Sequence, residues 1–117
     1  MVRLESLKKS NQFKKTLREK KVYTEFFSIF AAKNFYKPKY KTNLLISFVM
    51  KKKIGNAVKR NKIRRKLKAI VQKLLKKRGA ISKDYTYIVF GKSNAYLQKQ
   101  STLMPLMEKS FNTIKIK

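Results

Sequence analysis

The segment Lys51–Ile70, KKKIGNAVKRNKIRRKLKAI, contains ten lysines and arginines and no acidic residue. An arginine guanidinium can bind phosphate oxygens through two parallel hydrogen bonds, and a lysine ammonium adds a compact positive charge. Gly55 and Asn56 stand where a tight turn would lead into a helix. Backbone N–H groups at that helix N-terminus would add a further anion site. These residue types, in this order, predict binding of phosphate groups.

A helix through this segment has one apolar face and one cationic face. The apolar positions repeat with helical spacing and predict a stripe buried against a sheet; they are Ile63, Leu67, Ile70, Val71 and Leu74. The cationic side comprises Asn61, Arg65, Lys68 and Gln72, flanked by Lys62, Lys66, Lys73 and Lys76, with Arg60 and Arg64 along one border. Few of these side chains suit base edges, so the pattern favours neutralisation of a nucleic-acid backbone over readout of DNA sequence. A solvated surface helix is the alternative interpretation.

The chain has few side chains that could perform catalysis. It contains no Cys and no His, which excludes thiol nucleophiles, Cys/His zinc sites and imidazole acid–base chemistry. Its five acids are scattered singly through the sequence; they are Glu5, Glu19, Glu25, Asp84 and Glu108. Two-metal nucleases need several converging carboxylates. We therefore predict no catalytic residue, no metal ligand and no cofactor bound by protein side chains.

Composition predicts one domain with an anionic partner. The 117 residues, 43% of them hydrophobic and 12% aromatic, are enough for a single domain over residues 1–117. The 32 lysines and arginines against five acids give a net charge of +27. Repulsion among these charges destabilises a compact state unless an anion neutralises them. Nucleic acid and an anionic membrane surface are the two candidates. No apolar run has the length of a signal peptide or of a membrane span, so we expect a soluble, cytoplasmic protein.

The periodicity predicts the element order α-β-β-α-β-α, an α+β sandwich with helices packed on a small sheet. The first predicted elements are a helix from an N-cap at Ser10 to about Lys21 and the strands Val22–Ala32 and Leu44–Met50. The basic helix follows, with a stop at Gly79, and then strand Asp84–Phe90. The last predicted element is a helix with the apolar stripe Leu103, Leu106, Met107, Phe111 and Ile114. Pro105 is expected in the first turn of that last helix.

Aromatic side chains of the first helix and the strands could serve the core or stack against bases. They are Phe13, Phe26, Phe27, Phe30, Tyr85 and Tyr87. Aromatic residues at strand spacing usually belong to the core, whereas single-stranded nucleic acid binds by stacking on such rings in a basic groove. Alternation along one strand sends Phe26 and Phe30 to one face and Phe27 to the other. The sequence leaves open which face is the core.

The basic segment resembles the protein subunit of bacterial ribonuclease P. The family pattern runs Lys-Lys-x-Gly-x-Ala-Val-x-Arg-Asn-x-x-(Lys/Arg)-Arg, and this chain has KKIGNAVKRNKIRR at 52–65. The matching positions are Lys52, Lys53, Gly55, Ala57, Val58, Arg60, Asn61, Arg64 and Arg65. The opening RLESLKKSNQFKK, the chain length and the element order also fit the family.

The resemblance implies a fold and an activity. The fold would be a two-layer α/β sandwich with a left-handed β-α-β crossover through the basic helix, like the second domain of ribosomal protein S5. The holoenzyme is an endonuclease that removes the 5′ leader from precursor tRNA and leaves a 5′-phosphate. Its RNA subunit and Mg²⁺ perform the hydrolysis, so the implied partners are that catalytic RNA and precursor tRNA, with no membrane and no protein partner implied.

The resemblance also implies two groups of site residues. The residues expected to bind the RNA subunit are Lys52, Lys53, Asn56, Arg60, Asn61, Lys62, Arg64, Arg65 and Lys68. The residues expected to line a cleft for the single-stranded leader are Phe13, Leu17, Phe26, Phe30 and Lys51.

The chain departs from the family pattern at several positions near the expected cleft. Leu17 stands where a second Phe is common, Ser47 where Gly is frequent, and Leu45 where Arg is frequent. The sequence FGKSNA after the third predicted strand lacks a frequent Arg-Pro and leaves Lys92 as the nearest cation. A ribosomal or general RNA-binding protein is the alternative function, and binding to anionic membranes is a third.

Overall fold

The structure is a computed structural model that describes residues 2–34 and 43–116. Its elements, in chain order, are β1 Leu4–Glu5, α1 Ser10–Thr16, β2 Lys20–Tyr23, β3 Phe27–Lys33, β4 Leu44–Val49, α2 Ala57–Leu74, β5 Tyr85–Gly91 and α3 Gln100–Ile116. Short 3₁₀ turns at Lys52–Ile54 and Ser93–Ala95 precede α2 and follow β5. No helix in the described ranges is long and apolar enough to cross a membrane.

The five strands form one mixed sheet in the order β1-β4-β5-β3-β2. The nearly continuous apolar sequence of β4 suits a central strand, and β4 pairs with β5 in parallel. Because α2 connects these two adjacent parallel strands, the predicted β-α-β crossover through the basic helix is confirmed. β3 runs antiparallel to both β5 and β2. The α+β class is confirmed as well.

The prediction of one strand over Val22–Ala32 is wrong, because the segment folds back as the β2–β3 hairpin. Thr24 makes the turn: its hydroxyl donates to the carbonyl of Phe27 at 2.8 Å and accepts from the N–H of Phe27 at 3.1 Å. Threonine hydroxyls stabilise turns through such local hydrogen bonds. As a consequence, Phe26 lies in the turn and Phe27 begins a new strand.

Several predicted helix ends were also wrong. The N-cap of α1 is Lys9, and the side-chain oxygen of Gln12 accepts from the Lys9 N–H at 3.0 Å, so the polar group that caps the helix start comes from inside the helix. The helix ends at Thr16, because the chain must turn to begin β2 at Lys20. α2 ends at Leu74, before the expected stop at Gly79.

The predicted stripes of α2 and α3 form the main core with one face of the sheet. All five apolar positions of α2 are fully buried, as are Leu103, Met107, Phe111 and Ile114 of α3. Leu106, predicted in the stripe, is 36% exposed and lies outside it. Pro105 is the sixth residue of α3 and so falls beyond the first turn, contrary to the prediction; it lies on the exposed side of the helix.

The opposite face of the sheet is only partly covered. α1 packs against β3 and β5 on this side, and the N-terminal segment is tied to β4 by a hydrogen bond from the Leu7 N–H to the Ser47 hydroxyl, at 2.8 Å. Leu45 is buried in β4. Two of the departures from the family pattern, Ser47 and Leu45, therefore serve the packing of this face. The uncovered remainder of the face forms a groove.

Gly91, the last residue of β5, allows α2 to approach the sheet closely. A Cβ atom at this position would lie 2.9 Å from Ile63 Cγ2 and would overlap Met50. We expect Gly91→Ala to lower the free energy of unfolding by about 1–3 kcal/mol, the usual cost of an extra methyl group in a filled core. Urea denaturation measures the change.

A double-mutant cycle identifies the cause of that loss. If overlap with Met50 is responsible, Met50→Ala will cost less stability in the Gly91→Ala protein than in the wild type. Equal costs in the two backgrounds would contradict the overlap.

Candidate nucleic-acid interface

Gly55 and Asn56 form the turn and the N-cap at the start of α2, as the sequence predicted. Gly55 has φ 154°, and a Cβ on it would lie 2.9 Å from Lys59 Cδ, so the turn requires glycine. Asn56 is the N-cap, and its Oδ1 accepts from the Lys59 N–H at 2.9 Å. Ala57 and Val58 in the first turn are exposed, as are Lys52 and Lys53 just before it.

Most of the predicted cationic face of α2 is exposed. Asn61, Lys62, Arg65 and Lys68 are exposed, and α2 contains no acidic residue. Arg64 is half-buried, and its Nη1 donates to Asn61 Oδ1 at 2.7 Å. This hydrogen bond holds the guanidinium beside the helix surface and leaves its other donors available. The face can therefore bind several phosphate groups along one line.

Arg60 is more enclosed than the helical wheel predicted. The residue is half-buried, and its Nε is buried without a hydrogen-bond partner among the described residues. A buried donor without an acceptor costs free energy. Arg60 thus differs from Arg65, whose guanidinium is open to solvent.

Lys66 is a correction to the predicted cationic face. Its Nζ donates to three backbone carbonyls, those of Ala95 at 3.0 Å, Tyr96 at 2.8 Å and Gln98 at 2.6 Å. Loss of hydration around the ammonium group, together with the charge of Lys62, lowers the pKa of Lys66 from its ordinary value. The side chain therefore holds the segment after β5 against α2 instead of facing a partner.

The groove on the open face of the sheet has a volume of about 800 Å³. Its lining residues are Leu17, Tyr23, Ser28, Phe30, Lys51, Lys53, Ile54, Phe90, Gly91, Lys92 and Ser93. The lining contains three lysines and no acid. The end of α1, strands β2, β3 and β5, and the 3₁₀ turn before α2 form its walls.

Three aromatic rings from neighbouring strands form a row in this groove. The ring centroids of Tyr23 and Phe30 are 5.9 Å apart, and those of Phe30 and Phe90 are 5.4 Å apart, with both pairs edge-to-face. The Lys51 ammonium lies 5.6 Å from the centroid of Phe90. Tyr23 is 62% exposed. An apolar, aromatic surface with cations at its edge is the arrangement that binds single-stranded nucleic acid.

The structure brings together part of the predicted cleft set. Leu17, Phe30 and Lys51 line the groove. Phe13 is half-buried on α1, and Phe26 packs against the main core from the β2–β3 turn, so neither is among the lining residues.

The sequence did not assign the groove aromatics Tyr23 and Phe90 to the cleft, and it identified Lys92 only as the nearest cation. The hairpin register would have found the aromatics, because Tyr23 and Phe90 both pair with Ser28 across β3.

The groove and the cationic face of α2 are adjacent. Lys51 and Lys53 line the groove, and Gly55 and Asn56 follow them directly at the start of α2. The two surfaces are therefore connected through the short segment before α2. In the described ranges no group of His, Cys, Asp and Glu side chains is arranged to hold a metal ion.

Comparison with known proteins identifies relatives of this chain. The family profile described as Ribonuclease P matches residues 1–115. The ribonuclease P protein component of Mycoplasma capricolum subsp. capricolum is 30% identical over 109 residues, which cover 93% of this chain and 94% of that protein.

Two solved structures share the fold. The RNase P protein of Thermotoga maritima aligns with a TM-score of 0.67 at 24% identity, covering 97% of each chain. The Staphylococcus aureus RNase P protein aligns with a TM-score of 0.63 at 22% identity, covering 95% of this chain and 92% of that one. Together with the profile match and the curated relative, the cationic helix and the aromatic groove lead to one conclusion: the chain belongs to the ribonuclease P protein family.

Proposed function

We propose that this protein is the RNA-binding subunit of a ribonuclease P holoenzyme and assists removal of the 5′ leader from precursor tRNA. It binds the catalytic RNA through the cationic face of α2 and binds the single-stranded leader in the groove. The observation that carries the proposal is the adjacency of these two surfaces. One protein can thereby hold both the catalyst and the substrate.

Binding to the RNA subunit is supported by the charge of α2. Like charges one turn apart oppose helix formation, and α2 has no acid to offset the pair Arg60–Arg64. Contact with RNA phosphates replaces this repulsion with charge-assisted hydrogen bonds.

Binding of the leader is supported by the chemistry of the groove. Bases stack on aromatic rings irrespective of sequence, and phosphates pair with lysines along the rim. The row of Tyr23, Phe30 and Phe90 supplies the rings, and Lys51, Lys53 and Lys92 supply the cations. Duplex RNA does not present unstacked bases, so the groove favours a single strand.

The bond-breaking chemistry is assigned to the RNA subunit and its Mg²⁺. The sequence has no His or Cys and only five dispersed acids. The protein's contribution is then positional and electrostatic: it reduces repulsion between RNA segments and favours metal-dependent assembly. The hydrolysis catalysed by the RNA leaves a 5′-phosphate on the mature tRNA.

Reconstitution tests this proposal. The protein, added to a cognate ribonuclease P RNA at low Mg²⁺, is expected to accelerate removal of the leader, and the protein without RNA is expected to cleave nothing. Absence of acceleration, or cleavage by the protein alone, would refute the proposal. Recovery of mainly ribosomal RNA with the protein from cell extract would favour a general RNA-binding function.

The groove aromatics are expected to set the preference for precursor over mature tRNA. Phe30→Ala should reduce the ratio of the two affinities by about 10-fold, since a base–aromatic stack contributes about 1–3 kcal/mol. Equilibrium binding of both tRNAs to the reconstituted holoenzyme measures the ratio.

Phe26→Ala is the matched control for this variant. It removes an equally half-buried phenyl group that lies outside the groove, so the ratio should stay near that of the wild type. A loss of equal size in both variants would assign the effect to stability instead of to leader binding.

A further inference from the structure

A second pocket, of about 660 Å³, continues from the groove around the end of β5. Lys92 and Ser93 line both cavities, so they form a shared rim. The walls beyond that rim include Tyr96, Leu97 and Gln98, and we call this cavity the Tyr96 pocket. A single strand that leaves the groove past Lys92 enters it directly.

Two lysine ammonium groups lie close to one aromatic ring at this pocket. The ammonium groups of Lys59 and Lys62 lie 5.4 Å and 4.8 Å from the centroid of Tyr96. Lys59 Nζ also donates to the Ser93 hydroxyl at 2.8 Å, which directs it toward the shared rim. Two ammonium groups near one ring produce a local excess of positive charge, which attracts a phosphate group.

The pocket also offers apolar and polar surface for a base. Leu97 is 85% exposed, the largest exposure among the large hydrophobic residues that the structure describes. Gln98 and Asn94 provide amide groups, and the exposed Glu25 provides an acceptor for an exocyclic amino group. The exposed Leu97 side chain therefore offers apolar surface that a base can cover, and covering it removes apolar area from water.

Lys66 fixes the shape of the pocket before any ligand binds. Its ammonium group is hydrogen-bonded to the carbonyls of Ala95, Tyr96 and Gln98, which belong to the pocket wall or to the turn behind it. A wall held by three hydrogen bonds to one cation does not have to be ordered on binding, which lowers the entropic cost of binding.

We propose that the Tyr96 pocket is a second nucleotide-binding subsite, which receives one base and phosphate of the same single strand that occupies the groove. The proposal rests on the proposed function, because it takes the leader as the strand in the groove. It commits to single-stranded RNA on the basis of the shared rim with the groove and of the cations Lys59 and Lys92 in the pocket lining.

An abasic scan of the leader tests this subsite. The reconstituted holoenzyme binds precursor tRNAs that carry a leader of about ten nucleotides with one abasic position each, a length within the usual site sizes for single strands. In the wild type, two separate windows of positions should weaken binding, each by about fivefold or more. Leu97→Ser should abolish one window, and Phe30→Ala should abolish the other.

Leu106→Ser is the matched control, since Leu106 is an exposed leucine of α3 that lines neither cavity. It should leave both windows intact. A window that responds to Phe30→Ala, with no position that responds to Leu97→Ser, would overturn the subsite and leave the proposed function standing. A single window that responds to both variants would overturn the subsite too.

Two further outcomes separate the remaining possibilities. Complete insensitivity of binding to abasic positions would instead refute leader binding in the groove, and with it the proposed function. Weaker binding of the RNA subunit to Leu97→Ser, with the leader scan unchanged, would overturn the subsite by assigning the pocket to the RNA subunit.

Discussion

Reversing the charge of Arg64 and Arg65 together is expected to lower the affinity for the ribonuclease P RNA by about 100-fold or more, with unchanged helix content. A hydrogen bond to a charged group contributes about 1.5–3 kcal/mol, so removing two such bonds gives an effect of this size. Arg65 is exposed, and the only hydrogen bond described for Arg64 joins it to Asn61. The fold therefore does not depend on either guanidinium. Filter binding measures the affinity, and circular dichroism measures the helix content.

The salt dependence gives a second measurement on the same variant. The slope of log affinity against log salt concentration should become shallower by about 0.7–0.9 for each phosphate that the variant no longer neutralises. The matched control reverses Arg78 and Lys109, which are exposed residues outside α2, and so changes the net charge equally. If this control bound the RNA just as weakly, the net charge of +27 and not the α2 face would explain binding. Unfolding of the Arg64→Glu, Arg65→Glu variant would contradict the division of the helix into two faces.

Sulfate is expected to raise the melting temperature of the free protein by about 10 °C. An anion at 100 times its dissociation constant stabilises the native state by about 2.7 kcal/mol, and each kcal/mol shifts the melting temperature of a domain this size by roughly 4 °C. Sulfate stabilises the folded state because the 32 cations, opposed by only five acids, repel one another there. Thermal melts followed by circular dichroism measure the shift.

Sodium chloride at equal ionic strength is the control for general screening. An equal rise in both salts would show that screening accounts for the stabilisation and that specific anion binding does not. The variant with Arg64 and Arg65 replaced by glutamate should melt higher than the wild type without sulfate and should respond less to it, because its α2 has less repulsion to relieve.

The sequence predicted those parts of the molecule in which local pattern and tertiary contact agree. In α2 the apolar spacing and the basic spacing are both helical, so the buried stripe from Ile63 to Leu74 and the exposed Arg65 and Lys68 were predicted correctly. Gly55 and Asn56 were identified because turn and cap geometry restrict the residue types there. The periodicity of the apolar residues predicted the α+β class, and the long motif identified the family.

The parts that the sequence did not predict depend on contacts between distant segments. The break at Thr24 lies within a run rich in strand-forming residues, and only the pairing of β2 with β3 reveals the turn. Because the prediction lacked that hairpin, it placed Phe26 and Phe30 on one face of a single strand. It did not assign Tyr23 and Phe90 to the groove. Cross-strand pairing, not propensity, decides which aromatics share a surface.

Lys66 shows the same limit for charge. Its position at the border of the basic face predicted exposure, but its environment depends on the carbonyls of residues 95–98, which lie about thirty positions later in the chain. A helical wheel contains no information on a loop from elsewhere. The structure was needed to separate the lysine that holds the fold from the lysines that face a partner.

The close approach at Gly91 has a mechanical consequence. β5 contributes Phe90 and Gly91 to the groove wall, and Ile63 of α2 packs directly against Gly91 from the other side of the sheet. Interiors packed at this density resist compression, so α2 and the groove cannot slide past each other. Under the proposed function, a strand bound in one and a polyanion bound to the other would be kept at a constant separation, and the protein would act as a fixed spacer between them.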